Sequence, residues 1–243
     1  MHRSAMRNCQ RFFETYGEPL ATNGDVTVID IGSQDVNGSL REVTPANFKY
    51  IGVDMVAGKG VDIVLDDPYT LSLESESADA IICSSCFEHS EMFWLLFLEI
   101  MRVLKPTGLF YLNAPSNGAF HRYPVDCWRF YPDSGNALVA WGRRNGINPV
   151  LLESYISGRD RDGFNDFVAV FLKDEGHADL YPSRVTSTFA DFDNGISHGS
   201  PYISNFGEHP KNTMGRLISL ANAELARRGL RVGRRGSAND IRV

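Results

Sequence analysis

Acidic side chains recur in this sequence just after short β-rich runs, where a buried strand would hand its carboxyl end to a loop. The first run, Val26-Thr27-Val28-Ile29-Asp30-Ile31, ends at Gly32 and Ser33. An acid at such a tip suits a ligand ammonium, and a glycine lets the backbone come close to a ligand. The second run ends in Asp54, 22 residues after Gly32. A carboxylate there can accept two hydrogen bonds from a ribose diol; the alternative is a helix cap or a surface acid. The third run ends in Asp66-Asp67-Pro68-Tyr69. An acid at this tip can accept from the exocyclic amine of an adenine, while Asp-Pro is also ordinary turn chemistry; the two roles can coexist. The fourth run, Ala80-Ile81-Ile82-Cys83, leads into Ser84, Ser85, Cys86, Phe87, Glu88 and His89.

A second concentration of reactive types follows the fifth run, Leu109-Phe110-Tyr111-Leu112. It spans Pro115 to Pro132 and includes His121, Tyr123, Asp126, Trp128 and Arg129. Histidine has the right pKa for a general base, so His89 and His121 are the two candidates. Against that, His89 can be a structural residue at a helix start and His121 a plain loop residue. Asp126 and Arg129 can orient a polar ligand or pair with each other. Trp128 can stack on a ring or fill the core.

These residues need a scaffold that brings strand tips together. Met6, Cys9, Phe13 and Tyr16 recur at helical spacing until Gly17 and Pro19, which predicts a leading helix. Phe93, Leu96, Phe97, Ile100 and Leu104 define an amphipathic helix that Lys105-Pro106-Thr107-Gly108 is expected to end. Another helix is expected from Pro132 to Arg144, then strands near Val150–Ser157 and Phe167–Leu172. Strands alternating with helices predict a doubly wound, mostly parallel, seven-stranded α/β sheet of Rossmann-like type. Between Asp54 and Val61 there is no room for a crossover helix, so that connection is expected to be a loop and the third strand very short. From residue 174 the periodicity dissolves. Residues 174–243 are expected to form an irregular C-terminal extension: a loop, a helix over Leu217, Leu220, Ala221, Glu224 and Leu225 closed by Gly229, and a basic tail. The domain proper is expected over residues 1–173.

The chain has 243 residues, 43% of them apolar and 22% charged, with a formal net charge of -6. That charge argues against a general nucleic-acid or membrane-surface binder. No apolar run is long enough to span a bilayer, and no signal-type stretch follows the N-terminus, so the expected compartment is the cytoplasm. Cys83 and Cys86 form a C-x-x-C; without a second pair it does not make a zinc site, and no metal is expected. A redox pair is conceivable, but two small residues at a strand end is the favoured reading.

The ordered set matters more than any member. Asp30-x-Gly32, Asp54, Asp67, Asp79, Glu88-His89, Arg102-Val103-Leu104-Lys105-Pro106-Thr107-Gly108 and Asn113-Ala114-Pro115-Ser116 together resemble the class I S-adenosylmethionine-dependent methyltransferases of the type 11 kind. The likeness covers about Val26 to Leu112, more loosely to Lys173. It implies that Asp30, Gly32 and Ser33 flank the methionine part of S-adenosylmethionine, that Asp54 holds the ribose and Asp67 or Asp66 the adenine, and that Ser84 and Ser85 lie near the sulfonium. It places the acceptor side after the fifth strand, with Tyr123, Asp126, Trp128 and Arg129 as candidate contacts to a small-molecule or saccharide-type acceptor, and a hydroxyl as its methylated group. Pro124-x-Asp126-x-Trp128-Arg129-Phe130-x-Pro132 also looks like a stretch in some methyltransferases of sugar and polysaccharide pathways. One departure stands out: the family loop reads acid-x-Gly-x-Gly-x-Gly, whereas Gln34 and Val36 occupy the later positions here and Gly38 comes late. The competing readings are a nicotinamide-dependent oxidoreductase, which lacks its G-x-G-x-x-G here, and a methyltransferase-fold binding protein without catalysis. A homo-oligomer is compatible with all three.

Overall fold

The structure is a computed structural model that describes residues 2–158, 165–207, 221, 224, 225, 227 and 228. Residues Met1–Glu208 form one compact unit and His209–Val243 a second. The division expected after residue 173 therefore falls short of the observed one.

The first unit is built on one sheet of eight strands: β1 (Thr27–Ile31), β2 (Lys49–Asp54), β3 (Ile63–Val64), β4 (Ala78–Ser84), β5 (Leu104–Pro115), β6 (Val150–Ser157), β7 (Asp166–Leu172) and β8 (Phe192–Ser197). Their order is β3-β2-β1-β4-β5-β7-β6-β8. The pairs from β3 to β5 are parallel, and those joining β7, β6 and β8 are antiparallel. The expected α/β class and Rossmann-like winding hold, with eight strands in place of seven. As the spacing required, β2 and β3 are joined by a loop, and β3 has two residues.

Three helices pack on this sheet: α1 (Arg3–Leu20), α2 (Phe93–Val103) and α3 (Asp133–Arg144). Alternation along the strands sends Val28, Ala80, Ile82 and Tyr111 toward α1, where Cys9, Phe12 and Tyr16 meet them. Ile29, Ile31, Ile81, Phe110 and Leu112 face the other way, into Phe97 and Ile100 of α2 and Leu138 of α3. Helix α1 runs through Gly17 and Pro19 instead of stopping there. Tyr16 and Leu20 are both buried on the sheet, and that packing outweighs one missing ladder bond at the last turn.

Two further expectations are corrected. Leu104 does not end α2 but opens β5, pairing with Ala78. Lys105 then clamps Asp79 at 2.8 Å, and Gly108 is packed so closely that a Cβ would lie 3.0 Å from the Lys105 carbonyl. The Lys-Pro-Thr-Gly stretch is thus strand chemistry. The segment after Lys173 is not a bare loop either, since β8 extends the sheet along β6. Its anchor is the buried Glu153 carboxylate, which accepts from Tyr16 Oη at 2.6 Å, Val185 N–H at 2.7 Å, and Thr186 N–H and Oγ1 at 3.0 and 2.9 Å. In the second unit Ala221, Glu224, Leu225 and Arg227 are helical, as expected. Leu217, Leu220, Gly229 and the tail arginines beyond Arg228 lie outside the described residues.

Candidate active site

The carboxyl tips of β1, β2 and β4 converge, and two loops cover them. The loop after β1 begins at Gly32, whose φ of 82° is the left-handed region that favours glycine. Gly32 N–H donates to the Val53 carbonyl of β2 at 2.9 Å. A Cβ on Gly32 would lie 3.0 Å from that of Cys86, beyond the tip of β4. The loop continues against the one after β2: Asp35 N–H donates to the Lys59 carbonyl at 2.8 Å, and the Asp35 carboxylate pairs with Lys59 Nζ at 2.6 Å.

Asp54 sits at the centre of this contact. Its Oδ2 accepts Gln34 N–H at 3.0 Å and its Oδ1 accepts Val56 N–H at 3.2 Å. Each oxygen keeps a second lone pair, which is what a diol requires. On the neighbouring β1 and β4 tips, Ser33 Oγ and Ser84 Oγ are buried without a hydrogen-bond partner among the described residues. Buried hydroxyls normally find partners, so two unpaired ones, one just past the tip of β1 and one at the tip of β4, fit a polar ligand at the tips. Ser85 adds a positive φ of 54° while its N–H donates to the Asn113 carbonyl at 2.9 Å. Gly32, Ser33, Asp54, Ser84 and Ser85, all expected on one ligand, thus belong to neighbouring tips.

One expected residue does not join them. Asp30 shares the parity of Val28, so its side chain points toward α1 and is 2% exposed. Tyr50 donates its hydroxyl to the Asp30 carboxylate. Burial, opposed by that hydrogen bond, pushes the Asp30 carboxyl up to about 7, so it makes a poor counter-charge for an ammonium. Asp67 forms a turn of its own, accepting from Tyr69 N–H at 3.0 Å and Thr70 Oγ1 at 2.8 Å; the Tyr69 N–H holds its carboxyl below the usual range. Asp66 is exposed.

The residues expected on the acceptor side form a second network across β4 and β5. The Glu88 carbonyl accepts Cys127 N–H at 2.7 Å and Trp128 N–H at 3.3 Å, which fastens the segment to the tip of β4. His89 Nδ1 faces the Val125 carbonyl. The rings of His89 and His121 meet edge to face with centroids 5.1 Å apart. Asp126 and Arg129 are tied to each other by contacts of 2.6 and 2.8 Å, and Asp126 also accepts His121 N–H at 2.7 Å. The Arg129 guanidinium holds the Asp126 carboxyl well below the usual range. Trp128 donates Nε1–H to the Ser90 carbonyl at 2.9 Å and packs edge-on against Phe93. Tyr123 reaches back and donates its hydroxyl to Gln34 Oε1 at 3.1 Å, joining the two networks.

Sequence reasoning missed Glu88 as a functional group. It is 1% exposed, and burial pushes its carboxyl up to about 8. The available signal was an acid beside a histidine just past an apolar strand. Cys83 is buried, and burial raises its thiol, the opposite of a reactive redox thiolate. Two hollows of about 340 and 310 Å³ lie elsewhere, one between α2 and α3 and one near Asp25, Asp79 and Tyr181; neither includes a tip residue.

Residues 14–112 match the family model of a methyltransferase domain. Among solved structures, the fold is similar to a 1,6-didemethyltoxoflavin-N1-methyltransferase of Burkholderia thailandensis (16% identity over 70% of this chain and 79% of that one, TM-score 0.52). It is also similar to a SAM-dependent methyltransferase of Archaeoglobus fulgidus (15% identity, 68% and 93%, TM-score 0.50). A third likeness is to a putative sarcosine dimethylglycine methyltransferase of Galdieria sulphuraria (12% identity, 68% and 85%, TM-score 0.50). No curated protein matches the sequence. Among the described residues no helix is long and apolar enough to cross a membrane.

Proposed function

We propose, from the premise that residues 14–112 form a class I S-adenosylmethionine-dependent methyltransferase domain of the type 11 kind, that this chain methylates a hydroxyl of a small-molecule or saccharide-type acceptor in the cytoplasm. The observation that carries the reading is the set of groups on three successive strand tips: a half-buried Asp54 with spare lone pairs on β2, and buried, unpartnered hydroxyls of Ser33 after β1 and Ser84 on β4. The solved relatives from Burkholderia thailandensis and Galdieria sulphuraria are, by name, small-molecule methyltransferases, which supports a small acceptor here.

When bound, the cofactor would supply an activated methyl on a sulfonium, for transfer to the acceptor oxygen with the S–C electron pair left on sulfur. The protein has three tasks. Asp54 accepts the ribose hydroxyls, and Ser33 and Ser84 hydrogen-bond polar atoms of the methionine end. Gly32 leaves room for the backbone to approach. On the acceptor side, His121 takes the hydroxyl proton and His89 holds its ring in place. Burial holds the His89 imidazole below its usual pKa. Positioning along the S–CH3 axis is the larger contribution, because the methyl is already reactive.

Calorimetric titration with S-adenosylhomocysteine tests the binding half, with a reduced nicotinamide dinucleotide as the rival ligand. Binding of the first and none of the second is expected. Well-folded protein that binds neither S-adenosylmethionine nor S-adenosylhomocysteine overturns the reading. With an acceptor found by screening hydroxylated small molecules and sugars, His121→Ala is expected to slow turnover by roughly 10²-fold or more while leaving S-adenosylhomocysteine affinity unchanged. Full turnover removes His121 as the base.

A further inference from the structure

Glu88, His89 and His121 each offer one possible ligand atom, and these atoms lie within 4.8 Å of one another. Glu88 Oε1 stands 3.7 Å from His89 Nε2. Glu88 Oε2 is buried and has no hydrogen-bond partner among the described residues, in a side chain only 1% exposed. A buried acid oxygen in that state lacks the partner that buried polar atoms normally find. Its own segment is rigid, because its carbonyl holds Cys127 and Trp128. The histidines are turned the right way. Val125 O faces Nδ1 of His89, and Ala119 O lies 3.1 Å from Nδ1 of His121. A carbonyl that accepts from Nδ1–H leaves the lone pair on Nε2, which is how a metal-bound histidine is normally oriented. His121 is itself steadied through its backbone by the Asp126–Arg129 pair.

We infer that Glu88, His89 and His121 bind one divalent first-row transition ion through two imidazoles and one carboxylate, with its remaining positions open toward the acceptor side. This donor set suits zinc, iron(II), manganese(II) or cobalt(II). With bonds of about 2.1 Å, ligand atoms on such an ion stand about 3 Å apart. The set therefore draws together on binding, mainly at His121, whose side chain is 40% exposed. The ion site stands on these three side chains; its use, holding a hydroxylated acceptor by oxygen, rests on the methyl-transfer reading. An ion there lowers the pKa of a hydroxyl it touches. With the ion bound, His121 would serve as its ligand and the acceptor proton would pass to water; without it, His121 keeps the base role proposed above.

The test uses the full chain without a histidine tag, stripped with chelator and titrated with Co(II), Zn(II) and Mn(II). One ion per chain and visible Co(II) bands are expected. Glu88→Gln and His121→Ala are each expected to weaken binding at least tenfold, while His177→Ala, on a distant surface turn, is expected to change nothing. Circular dichroism confirms folding, and His121→Ala alone decides the matter if Glu88→Gln does not fold. The inference is overturned if folded protein binds none of the three ions tighter than about 0.1 mM, or if His121→Ala binds as well as the parent. The two readings separate cleanly. S-adenosylhomocysteine binding without ion binding removes the ion site alone, whereas ion binding without S-adenosylhomocysteine binding removes the methyl-transfer reading and leaves the ion site standing.

Discussion

The loops capping β1 and β2 and the segment between β5 and α3 both face the same ends of the sheet, yet they are held in different ways. The first pair is shaped by backbone. Gly32 and Gly60 take positive φ values of 82° and 87°, and the loops exchange main-chain bonds with each other and with Asp54. The second is held by side chains: Arg129 on Asp126, Trp128 on Ser90, His89 on Val125. A site for an invariant cofactor can be cut from backbone, where added atoms have nowhere to go. A site for a particular acceptor is better written in side chains, which can change without disturbing the sheet. The contrast predicts that added volume hurts the first region and that lost chemistry hurts the second.

Gly52→Ala breaks the comparison hardest. A Cβ at this β2 position would lie 2.0 Å from the Gly60 carbonyl and 2.7 Å from Ser33 Oγ. The Gly60 backbone is already confined to a conformation few residues adopt. We expect a loss of about 3 kcal/mol or more, read by denaturant unfolding. A stable, cofactor-competent variant would show that the backbone loops are far more pliant than drawn.

Asp30→Asn gives the next largest effect and separates the buried acid from the site. The folded Asp30 carboxyl is pushed up to about 7 from an ordinary 3.8. Between those values the folded state binds the proton and the unfolded state does not, so stability falls as pH rises from about 4 to about 7 and is level above. The asparagine variant lacks this dependence. Relative to the parent it should therefore gain about 1–3 kcal/mol between pH 5 and pH 7.5, measured by unfolding at both. Parallel pH curves would mean that Asp30 is charged in the folded protein.

Asp54→Ala sharpens the cofactor side. On the proposed ribose role of Asp54, removing its carboxylate should weaken S-adenosylhomocysteine by about 1.5 kcal/mol or more, read by calorimetry. Unchanged affinity would place the ribose elsewhere.

Much of this was legible in the residues. Short β-rich runs ending in Gly32, Asp54 and Ser84 fixed the parallel half of the sheet, because burial on both faces leaves a strong signature. The parity that sends Asp30 with Val28 to the α1 face was equally present in the alternation. The start of β5 was not, since Leu104 continues a helical stripe and only its pairing with Ala78 turns it into a strand. Nor was β8, whose Asp-Asn-Gly core is poor strand sequence. It is held in place by contacts far along the chain, at Glu153 and through β6. Glu88 reads as a surface acid until the tertiary fold buries it.

Gln34 is where the two regions meet, and it makes the smallest and most informative change. Its main chain serves the cofactor side by donating to Asp54 at 3.0 Å. Its side chain serves the acceptor side by accepting the Tyr123 hydroxyl at 3.1 Å. It also lies over Gly58, where a Cβ would come within 2.7 Å of its Nε2. Gln34→Ala removes the side-chain link and keeps the main-chain one. Because the Tyr123 bond is exposed and neutral, stability should change by about 0.5 kcal/mol, and S-adenosylhomocysteine affinity by less than about threefold. The acceptor KM should rise more than that, since Tyr123 loses the contact that holds it to the cofactor loop. A variant that instead loses cofactor affinity by tenfold or more would show that the two regions are one mechanical unit and that the division between backbone-built and side-chain-built halves is wrong.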